Sequence, residues 1–190
     1  QGDFSTLNAV PAEGKMRFHD LDLPMEIMHA IADLGFQYCT PIQAAILPKL
    51  LTGIDAAGRA QTGTGKSAVF LISILTHLIR KPIAEKRRYG TPRALILAPT
   101  RELALQIEKD ARELAKHYPC NIVAVVGGID YRKQRQQLTK GPVDILIATP
   151  GRQLDFVRQN QIHLNKVEIL VIDEADRMLD MGFLPDVEHI

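Results

Sequence analysis

Two cysteines, Cys39 and Cys120, are all that the 190 residues contain, and they form no C-x-x-C pair. Neither a disulfide framework nor a cysteine-based zinc site is supported, and a reduced, cytoplasmic compartment is the economical reading. The six histidines show no metal-ligand spacing along the sequence. Charge bias is missing too: 23 Lys plus Arg stand against 22 Asp plus Glu, a net +1. That balance excludes binding of nucleic acid by bulk charge, though not by a local basic surface. The longest apolar run, Ala68 to Ile79, is too short to span a bilayer and is broken by Ser73, Thr76 and His77. Gln1 to Arg17 holds no continuous apolar segment, so no signal peptide is read, and a soluble chain with no membrane partner is expected. What is present is an ordinary globular composition, 46% apolar and 24% charged, long enough for one domain with a full core.

Residues 1–16 mix Gly, Pro, Asn and charge without periodicity and read as a mobile leader to a domain over 17–190. Ile27, Ile31 and Leu34 then follow Pro24 at helical spacing, with Gly35 as the stop. The next helix opens Thr40-Pro41-Ile42-Gln43, a capping box in which the Gln43 amide returns to the backbone of its N-cap. Five short β-rich runs, Ile54 to Ala57, Ala94 to Ala98, Ile122 to Val126, Asp144 to Ala148 and Val167 to Ile172, alternate with helical patterns. Leu103, Ile107, Ala111 and Leu114 mark the clearest of these helices. The fold class expected is therefore α/β, a mostly parallel central sheet with helices on both faces. The basic connector Arg80 to Arg93 reads first as a solvated loop, with a polynucleotide contact as the alternative.

Ligands of such sheets sit outside the carboxyl ends of the strands, and the polar sequences here fall at those ends. After the first run comes Ala60-Gln61-Thr62-Gly63-Thr64-Gly65-Lys66-Ser67. Gly63 and Gly65 let the backbone curl so that successive N–H groups face inward at a helix N-terminus, a nest for phosphate. Lys66 would reach the β- and γ-phosphates, and the Ser67 hydroxyl would take a Mg²⁺ position. Ala60 stands where the strict motif has Gly, and a plain glycine-rich turn shares this outline. Asp173 ends an apolar run, where a second Mg²⁺-holding carboxylate belongs, and Glu174 beside it can polarise the attacking water. A helix N-cap with a first-turn acid would look the same; together with the phosphate loop, the catalytic reading is preferred. Pro99 to Glu102 and Thr149 to Arg152 offer hydroxyls, Arg101, Arg152 and helix N-termini, groups that hold phosphates without reading bases.

These residues closely resemble the DEAD-box RNA helicases. The resemblance runs from Phe18 to the end of the sequence through Gly35 to Gln43, A-Q-T-G-T-G-K-S, P-T-R-E-L-A, Gly127-Gly128, T-P-G-R and D-E-A-D. Cys39 and the run D-E-A-D-R-M-L-D-M-G-F resemble one bacterial branch of that family. The resemblance implies the N-terminal RecA-like domain of a phosphate-loop NTPase that binds ATP with Mg²⁺ and hydrolyses it under RNA stimulation. Local unwinding of short duplexes would follow, or alternatively an ATP-gated RNA clamp that scaffolds partners without unwinding. Gln43 would read the adenine edge and Phe18 would pack on the base. Pro99, Thr100, Arg101, Gly128, Thr149, Pro150, Gly151 and Arg152 would hold the RNA backbone whatever its sequence. Protein partners would belong to RNA decay or the ribosome. Ser67 replaces the commoner Thr, and Gln153 stands where an apolar residue is usual. The family's S-A-T motif and second RecA-like domain do not appear by Ile190. Two expectations follow: these residues alone are nearly inactive, and a central strand is missing between the phosphate-loop strand and the D-E-A-D strand, a gap to be repaired by pairing unless the chain is an excerpt.

Overall fold

Strands buried on both faces build the centre of the sheet. The structure, a computed structural model, describes residues 16–51, 56–59, 64–83, 86–173 and 178–183, and of residues 42, 56–59, 64–66 and 178–183 the backbone alone. Strands β1 (Ala56–Arg59), β2 (Ala94–Leu97), β3 (Ile122–Val125), β4 (Ile145–Ala148), β5 (Ile169–Asp173) and β6 (Met178–Phe183) form one sheet in the order β1-β6-β5-β2-β4-β3. The run β5-β2-β4-β3 is parallel throughout. β6 is antiparallel to both of its neighbours, so β1 points the same way as β5. The mostly parallel α/β sheet expected from the sequence is the one found.

Side chains alternate along each central strand, as the pleat requires. Ile96, Ile147 and Val171 enter one core, with Ile31 of α1 (Met25–Asp33), Leu47 of α2 (Pro41–Leu51), Phe70 of α3 (Thr64–Arg80) and Ile107 of α4 (Arg101–Leu114). Leu95, Val123 and Leu146 enter the other, with Leu138 of α5 (Tyr131–Thr139) and Phe156 of α6 (Pro150–Arg158). Helices therefore cover both faces. Among the described residues no helix is long and apolar enough to cross a membrane.

Two elements were not foreseen. α5 has a polar sequence with Leu138 its one aliphatic residue, and it docks by burying Leu138 and Gln134, whose amide donates to the Val126 carbonyl at 3.0 Å. β6 occupies the slot that the sequence reading left open between the first strand and the D-E-A-D strand. Its register pairs Arg59 with Met178 on one side and Asp173 with Leu179 on the other. Two strand edges facing each other across one strand's width present unpaired N–H and C=O groups, and a segment that pairs with both satisfies them. Of the leader read over 1–16, residues 1–15 lie outside the described residues, and the Met16 carbonyl accepts from the Cys39 N–H at 2.8 Å.

The amino rim of the sheet, where β2, β4 and β5 begin, is fastened by arginines. Arg93 is 3% exposed. Its Nε donates to Glu168 Oε2 at 2.5 Å and its Nη2 to Glu168 Oε1 at 3.0 Å and to the Lys81 carbonyl at 2.5 Å. His77 of α3 adds a 3.0 Å contact to the same Oε1. Burial alone would push the Glu168 carboxyl up, but the hydrogen bonds from His77 and Arg93, with the charge of Arg93, outweigh it and hold it at about 2. Arg87 repeats the device: it donates to Asp144 Oδ1 at 2.5 Å and to the Val143 carbonyl at 2.8 Å, while Asp144 Oδ2 accepts from the Asn121 backbone at 2.8 Å. The connector is thus a strap across the amino rim, not simply a solvated loop.

Candidate functional site

Because β1 to β5 all point one way, their carboxyl ends share a rim, and the described motif residues fall there. α3 begins at Thr64, within the phosphate-loop sequence; Ala60, Gln61, Thr62 and Gly63 lie outside the described residues, and of Thr64, Gly65 and Lys66 the structure gives the backbone helix start alone. Asp173 is the last residue of β5 and is 6% exposed. With β6 between them, β1 and β5 are two strand spacings apart, roughly 10 Å. Glu174 lies outside the described residues.

Ser67 is 6% exposed in the first turns of α3. Near it Asp110 of α4 accepts from the Gln106 amide at Oδ1, 3.0 Å away, while its Oδ2 is buried without a hydrogen-bond partner among the described residues; burial, with the neighbouring Glu113 charge, pushes this carboxyl above its usual range. The Ser67 hydroxyl and the buried Asp173 carboxylate are hard oxygen donors of the kind that Mg²⁺ takes. The residues present therefore fit a Mg²⁺-nucleotide. Asp110 was not foreseen; it falls on the polar flank of a helix, where nothing in the sequence marks it.

At the start of α2 the capping box is formed. The Thr40 N–H donates to Gln43 Oε1 at 2.8 Å, and the Gln43 N–H to Thr40 Oγ1 at 3.4 Å. Gln43 is 3% exposed, so the cap uses both partners. An adenine contact by the same oxygen would have to take its second lone pair. Phe18 opens a short 3-10 turn, is 1% exposed, and stacks on Phe36 with ring centroids 6.3 Å apart. It sits in the core beneath α1 rather than as an open platform.

The residues assigned to a polynucleotide backbone divide into two kinds. Thr100 caps α4, its Oγ1 accepting from the Leu103 N–H at 3.2 Å, and Arg101 beside Pro99 keeps its side chain 48% exposed. Gly128 has φ +79°, and a Cβ there would lie 2.7 Å from Arg101 Nη1, so the loops after β2 and β3 touch. Thr149 does not cap α6 with its side chain; its Oγ1 accepts instead from the Gly127 N–H at 3.2 Å. Pro150 and Gly151 start α6, leaving its first N–H groups at the rim. Arg152 turns inward, donating to the Ile129 carbonyl at 2.9 Å and to Gln134 Oε1 at 3.2 Å, above the Tyr131 ring. The two arginines are therefore not equivalent: Arg101 faces outward and Arg152 braces the Gly127-Gly128 loop. Burial pushes the thiols of Cys39 and Cys120 up to about 11 and about 12, so neither is a ready nucleophile.

Comparison with known proteins agrees with this layout. The family profile described as DEAD/DEAH box helicase matches residues 40–190. A protein of Pseudomonas syringae pv. tomato named ATP-dependent RNA helicase RhlB is 59% identical over 180 residues, which are 95% of this chain and 45% of that protein. Proteins of the same name from Pseudomonas aeruginosa and Shewanella denitrificans are 59% and 52% identical, over 95% and 92% of this chain. The chain thus spans less than half the length of these relatives, which carry the name of the bacterial branch that Cys39 and the run after D-E-A-D resemble.

Proposed function

The chain belongs to the DEAD/DEAH box helicase family, and we propose that it supplies the ATP-binding and part of the RNA-binding machinery of an ATP-dependent RNA helicase. The observation that carries this reading is the common direction of β1 to β5, which gathers the phosphate-loop helix, Asp173 and the exposed Arg101 at one rim. When bound, Mg²⁺-ATP supplies the γ-phosphoryl group and a cation that neutralises its developing charge. Ser67 and Asp173 would hold the cation. Lys66 would hold the β- and γ-phosphates, and Glu174 would orient the water that attacks. Gln43 would select adenine and Phe18 would support the wall against which the base rests. RNA would lie over Pro99, Thr100, Arg101, Gly128, Thr149, Pro150 and Gly151, its phosphates meeting backbone N–H groups and the Arg101 guanidinium. Arg152 would act through the loop it braces.

The test is RNA-stimulated phosphate release and strand separation by the complete gene product. Lys66→Ala should lower turnover by about 10²–10³, the usual cost of one charge-stabilising donor. Glu174→Gln should spare ATP binding and slow hydrolysis. Equal loss of ATP binding in both would overturn the role given to Glu174, and ATPase indifferent to RNA would overturn the reading itself. Gln43→Ala should lower the preference for ATP over GTP about ten- to hundredfold, since an amide leaving its partner unpaired costs about 1–3 kcal/mol. An unchanged preference with lower stability would leave Gln43 as a helix cap alone.

A further inference from the structure

On the flank of the first core, away from the carboxyl rim, α1 and the turn that follows α4 bring three metal-ligating side chains together. His29 and Asp33 are one helical turn apart on α1 and share a face. His117, 84 residues from Asp33, comes over them with its Nε2 at 2.6 Å from Asp33 Oδ2. His29 Nε2 lies 3.8 Å from Asp33 Oδ1. One ligand atom from each of the three lies within 4.8 Å of the other two. The imidazole rings are parallel, 2° apart in plane and 3.6 Å between centroids. Two imidazolium ions would repel one another in that stack, and a cation seated between the rings and the carboxylate would take the place of the proton that His117 Nε2 donates to Asp33. The side chains are 25–35% exposed, so the cluster is open to an ion from solvent. Lys116 Nζ, 3.6 Å from Asp33 Oδ2, is the competing cation, and at 63% exposure it is free to swing into water.

We propose that His29, Asp33 and His117 form a zinc site that ties α1 to the end of α4. Two imidazole nitrogens and one carboxylate oxygen are a zinc donor set, with the fourth position left to water. Mg²⁺ and Ca²⁺ prefer oxygen ligands and are disfavoured here. On binding, each Nε2 presents its lone pair to the metal and carries its proton on Nδ1; because the lone pairs lie in the ring planes, the two rings tilt toward each other at Nε2. α1 leads to the Thr40–Gln43 cap and α4 starts at Arg101, so the metal joins the element before the nucleotide pocket to the element behind the outward arginine. No sequence spacing announces the site, because the third ligand arrives through the fold.

The experiment is a zinc titration of the chelator-treated chain without nucleotide, read by calorimetry and by thermal unfolding. One zinc per chain should bind, and at a hundredfold excess over its Kd the unfolding midpoint should rise by about 5 °C or more. His29→Asn and His117→Asn should each weaken binding about tenfold or more, since loss of an outer partner of a metal ligand already costs 10- to 100-fold. His163→Asn should leave it unchanged, and Mg²⁺ in place of zinc should give no such rise. Absence of zinc-dependent heat and stabilisation in the unsubstituted chain would overturn the proposal, as would equal zinc binding by a folded chain carrying both His29→Asn and His117→Asn.

Discussion

Arg93 at the amino rim is 3% exposed and spends its hydrogen bonds on Glu168 and the Lys81 carbonyl. Arg101 at the carboxyl rim has its side chain 48% exposed, and the one ion pair it makes among the described residues is a loose 3.6 Å contact with neighbouring Glu102. The same contrast holds between glycines. Gly90 has φ +69° and its missing Cβ would lie 2.1 Å from the Gln161 carbonyl oxygen, backbone against backbone. Gly128 has φ +79°, and there the nearest obstacle is the movable tip of Arg101. One end of the sheet is closed by charge pairs that satisfy each other. The other end leaves donors pointing outward, where a phosphate is the group that would satisfy them. The two ends should therefore fail differently, the amino rim in stability and the carboxyl rim in binding.

The largest stability loss is expected at Arg93→Ala. It leaves Glu168 without its guanidinium and strips the fastening between β2, β5 and α3. Breaking a buried ion pair costs about 3–5 kcal/mol, and the 28% exposure of the Glu168 side chain brings the expectation to about 2–4 kcal/mol. Urea unfolding measures it, and ATP affinity of the folded fraction should be unchanged. A loss below about 1 kcal/mol would mean that the rim is not held by this pair.

Next come the two glycines. Gly90→Ala meets both a left-handed backbone, worth about 1–2 kcal/mol, and a backbone clash that must be relieved by moving the 161–163 segment. Gly128→Ala meets the first cost alone. Gly90→Ala should be the more destabilising by about 1 kcal/mol or more, while Gly128→Ala should be the one that weakens RNA binding, because it displaces Arg101. The reverse ranking in either assay would break the contrast between the rims.

Acid provides a third handle. The Glu168 carboxyl is held at about 2, below its ordinary 4.5, so its contribution is complete above pH 4.5 and is lost as the pH falls toward 2. The unfolding midpoint of the unsubstituted chain should therefore drop over that window more than that of Glu168→Gln, which is weaker at neutral pH but has no such proton to take up. Parallel acid profiles would place the sensitivity elsewhere.

The sequence made the carboxyl rim far more legible than the amino rim, and the reason is locality. α4 declares itself through Leu103, Ile107, Ala111 and Leu114, all of which point to the core, and Thr40 with Gln43 declares a cap that forms as read. In the sequence Arg87 and Arg93 read as parts of a basic loop, because their acids, Asp144 and Glu168, are 57 and 75 residues away. α5 escaped notice because Gln134, a polar residue, does half of its docking. β6 escaped because M-L-D-M-G-F has no alternation, and its strand state comes from two neighbouring edges rather than from its own pattern. Arg152 illustrates the same limit inside a motif: T-P-G-R marks the rim, but whether its arginine faces phosphate or protein is settled by Ile129 and Gln134.

The smallest and most discriminating effect concerns that arginine. If both arginines met phosphates, removing either would lower RNA affinity and flatten its salt dependence alike. The structure separates them, because the Arg152 side chain is 15% exposed and hydrogen-bonded to its own loop. Arg101→Ala should lower affinity for every RNA by a similar factor and reduce the slope of log affinity against log salt by about 0.7, the value for one phosphate contact on a single strand. Its unfolding free energy should stay within about 0.5 kcal/mol, as for other exposed substitutions. Arg152→Ala should cost about 1 kcal/mol in stability, the usual net value of lost hydrogen bonds. It should lower affinity by loosening the Gly127-Gly128 loop, with the salt slope unchanged. Salt-dependent binding to one unstructured RNA, measured beside urea unfolding for both variants, makes the distinction. A flattened slope for Arg152→Ala with full stability would move it to the ligand side and leave the inward contacts as a resting arrangement that RNA displaces.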